Sequence, residues 1–129
     1  MSTLEVSNLN DGTTTVATTF VTNGSAKVIV KYNMSGVIQG TSMNVSSVTD
    51  ASTGRLSPQF ASSFSDANYV FQATCSDTLG GSNKAQIVNQ DYGGTVSSSE
   101  TRASMVEGDG ANTYTDAEFC SVTLFGDLA

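Results

Sequence analysis

Apolar and polar residues alternate along most of the chain with the period of a strand. The clearest case is residues 69–76, where Tyr69, Phe71, Ala73 and Cys75 fall on one face and Val70, Gln72 and Thr74 on the other. Residues 26–32 form a second candidate, apolar on both faces at Val28-Ile29-Val30. Residues 42–49, 55–60, 84–92, 95–106 and 117–125 extend the series. Turn signals separate these segments: 34–40 with two glycines, 50–54, 66–68, 79–83, Gly93-Gly94 and the polar run 107–112. Pro58 has no N–H to give a ladder, so its strand is expected at a sheet edge. No stretch carries a sustained 3.6-residue apolar stripe with caps, so no helix is predicted.

This rhythm predicts an all-β fold: an antiparallel β-sandwich of about seven strands, preceded by a short extended N-terminal arm. The arm covers residues 1–25 and the sandwich domain residues 26–129. In the arm, Leu4, Val6 and Leu9 precede the turn signal Asn10-Asp11-Gly12, and a Thr- and Val-rich run carrying Val16 and Phe20 ends at Asn23-Gly24. Two short strands of this kind are too poor in bulk to form a core. Leu4, Val6, Leu9, Val16 and Phe20 are therefore the candidate assembly residues.

Composition strengthens the case for assembly. Ser, Thr, Gly and Asn make up 57 of the 129 residues, whereas Leu, Ile, Val and Phe make up 28, or 22%. That is just above the roughly 20% below which charged chains stay disordered. A lone monomer would have a thin core, so part of the apolar burial is expected between subunits.

Charge and residue types exclude several activities. The chain has no His, which removes the Ser-His-Asp triad, the Cys-His pair and any His-ligated metal. Its net charge is −7, and Lys27, Lys31, Lys84, Arg55 and Arg102 are scattered, so no basic stripe exists for nucleic acid. No apolar run approaches the roughly 18 residues that would insert into a membrane. The opening Met-Ser-Thr-Leu-Glu-Val lacks the basic and apolar regions of a secretory signal. The expectation is a non-enzymatic protein with no cofactor and no metal.

A few residues still invite chemistry. Cys75 and Cys120 both fall at inward positions and are either a bridged pair, a reactive thiol or two buried free cysteines serving as small apolar side chains. Glu107, Asp109, Asp116 and Glu118 gather four carboxylates within 12 residues, which suits calcium, but Ala111 breaks the EF-hand pattern. Tyr92 and Tyr114 lie beside Gly- or Asn-containing loops. With Glu107, Asp109 and Asn112 they make a candidate exposed recognition face. The sequons at Asn23, Asn33 and Asn44 are what a chain rich in Asn and Ser yields by chance.

The segment from Asn44 to Phe60, with its Asn-Val-Ser-Ser-Val-Thr-Asp strand and Thr53-Gly54 loop, resembles a motif of virion appendage proteins of marine bacteriophages. The turn Asp66-Ala-Asn-Tyr69, the closing Val122-Thr-Leu-Phe-Gly-Asp127 and the opening Ser2-Thr-Leu-Glu-Val6 are similar to further motifs of that group, in the same order. Residues 31–36 and Pro58 depart from its pattern. The resemblance implies a β-sandwich-like domain at a phage surface, tail-fibre-like and trimeric, with no catalytic residues. The expected protein is a short trimeric virion appendage, either a capsid decoration or head fibre or a tail-fibre tip. It would be made in the host cytoplasm and displayed on the virion surface. Its partners would be identical copies, other capsid or tail proteins, and host surface glycan. The alternative is a carbohydrate-binding β-sandwich module that attaches to a host surface.

Overall fold

The computed structural model describes residues 5–76, 86–91, 93, 96–108 and 113–129. Among these, the elements are β1 (Asn8–Asn10), β2 (Thr15–Ala17), α1 (Thr18–Gly24), β3 (Val28–Asn33), β4 (Val45–Ser52), β5 (Arg55–Phe60), β6 (Val70–Cys75), β7 (Gln86–Gln90), β8 (Ala103–Glu107) and β9 (Phe119–Phe125). The fold is all-β. The body is an antiparallel β-sandwich of seven strands, β3 to β9, in two sheets ordered β3-β9-β6 and β4-β5-β8-β7.

Alternation decides which side chains meet between the sheets. Val28, Val30 and Tyr32 of β3 and Cys120, Val122 and Leu124 of β9 point inward. They join Leu56 and Phe60 of β5 and Ala103 and Met105 of β8 in one cluster. Phe71, Ala73 and Cys75 of β6 pack against it from the face read off the sequence. One end is closed by aromatics. The Phe60 and Phe64 rings meet edge to face at 5.2 Å, and Tyr69 lies 4.8 Å from Phe64. Tyr69 keeps its polar tip satisfied by donating to the Glu100 carbonyl at 3.0 Å.

Two expectations are corrected. First, β5 is not an edge strand: it lies between β4 and β8. Its ladder to β8 covers only Arg55 and Leu56, so it has ended before Pro58. The Pro58 carbonyl accepts the Thr101 N–H on that side. A strand residue's N–H and C=O point the same way, so the missing donor also faces the irregular segment, where no ladder needs it.

Second, the arm is not wholly extended. β1 and β2 pair as expected, in the register Asn8↔Ala17, Leu9↔Val16 and Asn10↔Thr15. Residues 18–24, read as the end of a strand, form α1. This seven-residue helix buries no side chain, so no apolar stripe could announce it. It is held locally. Thr18 N–H and Oγ1 donate to the Ser7 carbonyl, and Thr22 Oγ1 donates back to the Thr18 carbonyl at 3.1 Å.

Candidate assembly and recognition surfaces

The arm's turn is built by side chains reaching backbone. Asp11 Oδ1 accepts the N–H groups of Thr13 and Thr14 at 2.9 and 2.8 Å. Those two bonds hold its carboxyl below the ordinary value. Gly12, at φ +97°, makes the reversal that an L side chain would resist. The consequence is a hairpin whose register sets Leu9 directly opposite Val16.

Both side chains face outward: Leu9 is 47% exposed and Val16 38%. Val6 is exposed as well, and Phe20 on α1 is 74% exposed, the largest value for a big apolar side chain among the described residues. Val21, which sequence reasoning did not single out, is also exposed. It sits next to Phe20 on a helix that only the structure reveals. Leu4 lies outside the described residues. The arm therefore carries four of the five candidate assembly residues on a folded unit, and none of them belongs to the core.

The candidate recognition face divides. Tyr92, Asp109 and Asn112 lie outside the described residues. Glu107 ends β8, and its N–H donates to the Thr113 carbonyl. Tyr114 bridges to Val106, so the two flanks of the loop are held together. The Tyr114 ring lies 3.8 Å from the Arg55 guanidinium. Arg55 Nε in turn lies 3.3 Å from Asp91 Oδ2. Among the described residues, this face thus presents an arginine stacked on a half-exposed tyrosine and paired with a carboxylate. Arg55 and Asp91 were not foreseen, because 36 residues separate them and only the β5-β8-β7 order brings them together.

The carboxylates weighed for calcium do not converge where they are described. Asp116 turns inward and its Oδ1 accepts the Gly54 N–H at 2.7 Å. Asp109 lies outside the described residues. Among the described residues, no three His, Cys, Asp or Glu side chains gather as a metal site.

A hollow of about 470 Å³ lies between the start of β9 and the β3 turn, with Lys31, Asn33, Gln39 and Glu118 in its walls beside Met34 and Phe119. Lys31 Nζ sits 3.8 Å over the Phe119 ring. Sequence reading missed this hollow, since Lys31 and Phe119 meet only through the β3–β9 register. Cys75 and Cys120 face each other across β6 and β9 as free thiols. No helix among the described residues is long and apolar enough to cross a membrane. The chain matches no protein-family model, no curated protein and no solved structure.

Proposed function

We propose that this chain is a non-enzymatic bacteriophage virion structural protein, a short trimeric surface appendage that serves as a capsid decoration, head fibre or tail-fibre tip. One observation carries the reading. Val6, Leu9, Val16, Phe20 and Val21 stand exposed on a hydrogen-bonded hairpin and helix that add nothing to the sandwich core. Apolar side chains held out on a folded unit gain from burial against another surface, at roughly 25 cal/mol per Å². The surface that fits the thin core of the domain is a neighbouring copy of the same chain. Closed three-fold assembly then supplies avidity to a small subunit. The resemblance of residues 44–60, 66–69 and 122–127 to phage appendage motifs points the same way.

The test is to label the protein on purified virions and image them. Signal on the capsid or tail surface supports the reading, and absence from the particle overturns it. The second reading, a carbohydrate-binding module, is favoured by the Tyr114–Arg55–Asp91 cluster, which pairs a stacking ring with charged hydrogen-bonding groups. Saturable binding on a glycan array that is lost in Tyr114→Ala would favour it, and silence of the wild type would remove it.

A further inference from the structure

We infer that Cys75 and Cys120 are a latent oxidation site, two thiols placed to close into a cross-strand disulfide when the protein meets an oxidising disulfide such as oxidised glutathione. The register sets the two residues directly opposite each other on β6 and β9. The hydrogen-bond parity fixes which kind of pair they are. Ser76 N–H donates to the Phe119 carbonyl at 2.9 Å, so Ser76 and Phe119 form a hydrogen-bonded pair. The next pair inward, Cys75 and Cys120, is therefore a non-hydrogen-bonded one. In such pairs the Cα atoms lie about 4.5 Å apart, inside the roughly 4.4–6.8 Å span of disulfides.

Both side chains point to the same inner face, as the burial of Cys120 and the half-burial of Cys75 require. Opposite Cβ atoms in such pairs stand about 4.5–5.5 Å apart, slightly beyond the usual disulfide spacing of about 3.5–4.5 Å. The strand that must move to close the gap is β6, which among the described residues stands at the edge of its sheet and is laddered to β9.

The two thiols differ in access, and this orders the chemistry. Cys75 is half-buried and open to solvent on one side, whereas Cys120 is fully buried with Cys75 directly opposite it. The Cys75 thiolate attacks one sulfur of oxidised glutathione, forming a mixed disulfide and expelling one glutathione thiolate. The Cys120 thiolate then attacks the Cys75 sulfur and expels the second. Two protein thiols and one glutathione disulfide become one protein disulfide and two glutathione thiols, with the protein's protons passing to the products.

Burial raises both thiols, Cys120 to about 12, so closure is slow near neutrality and speeds up as the pH rises. Tyr32 pairs with Cys120 on the other side and is fully buried. Among the described residues its Oη has no hydrogen-bond partner of ordinary geometry, and it feels the Cys120 sulfur beside it. The inner end of this site thus holds a buried phenol beside the thiol.

The experiment incubates the full-length native protein with oxidised glutathione at mildly alkaline pH, then denatures it, alkylates free thiols and digests it with trypsin. The expected product joins the peptide of residues 56–84 to that of residues 103–129, with a thermal midpoint higher by roughly 10 °C than that of the reduced chain. Cys75→Ser should leave Cys120 unmodified by glutathione in the native state. Cys120→Ser should stop at the mixed disulfide on Cys75. Three results overturn the inference: both thiols still alkylated in the wild type, a glutathione adduct persisting on wild-type Cys75, or bridges only between chains.

Discussion

The Asp116 carboxylate accepts the Gly54 N–H at 2.7 Å across 62 residues of chain, and so ties the β4–β5 turn to the segment that enters β9. The site is crowded around it. Gly54 sits at φ +66°, and a Cβ there would lie 2.7 Å from the Thr115 backbone and 2.9 Å from the Met105 carbonyl. Gly54→Ala therefore combines left-handed strain with a backbone clash and should cost more than about 2 kcal/mol. Asp116→Ala leaves a backbone donor without its charged acceptor and should cost about 1–3 kcal/mol. Urea unfolding of both variants checks this, and midpoints equal to the wild type would show the tie to be idle.

Asn44 makes a second such tie. Its backbone is left-handed, at φ +56°, which Asn tolerates better than most residues. Its side chain trades two hydrogen bonds with Ser62: Oδ1 accepts the Ser62 N–H at 2.6 Å, and Nδ2 donates to the Ser62 carbonyl at 3.0 Å. Asn44→Gly relieves the backbone but loses the bonds, whereas Asn44→Ala loses both. Destabilisation should rank Ala above Gly, with Ala at roughly 2 kcal/mol. Equal effects, or a stabilising Gly, would contradict the assignment.

Alkaline pH should weaken the reduced protein. Burial pushes the Cys120 thiol from 9.0 up to about 12, and burial first, with the neighbouring Cys120, lifts Tyr32 well above 10.0. The folded state holds both groups neutral. This contribution is complete below pH 9, the ordinary thiol value, because neither state has yet lost the proton. Above it the unfolded chain ionises first, so stability falls by up to about 1.4 kcal/mol per pH unit for Cys120 until pH 12. Under reducing conditions the urea midpoint should drop between pH 8 and pH 10, and drop less in Cys120→Ala. A midpoint flat across that range would contradict the burial of the thiol.

Strands such as β6 and β9 were legible because one face of each turns toward the core. Tyr69, Phe71, Ala73 and Cys75, and likewise Cys120, Val122 and Leu124, announce their inward face by alternation alone. What alternation cannot carry is pairing. The order β4-β5-β8-β7, which puts Pro58 on an interior strand and Arg55 beside Asp91, depends on contacts between residues far apart in sequence. α1 escaped for another reason. Its seven residues, Thr-Thr-Phe-Val-Thr-Asn-Gly, favour strands or turns by propensity, and side-chain bonds to nearby carbonyls hold it as a helix. Val6, Leu9, Val16 and Phe20 could be singled out because apolar side chains beside a turn signal have little to pack against within so small a hairpin, and all four are exposed.

The role proposed for the arm, an assembly surface, predicts a specific loss. Phe20→Ser, alone or with Leu9→Ser, should leave the β circular dichroism unchanged, because neither side chain reaches the core. It should nevertheless weaken self-association, shifting the midpoint of assembly to higher protein concentration. Unfolding of these variants as isolated chains would show that the arm supports the sandwich instead.

The central claim is tested most directly by the mass of the purified full-length protein in solution, from light scattering coupled to size-exclusion chromatography. The account predicts a stable species of about three times the 13.3 kDa chain mass. A well-folded particle of one chain mass at micromolar concentration would contradict it.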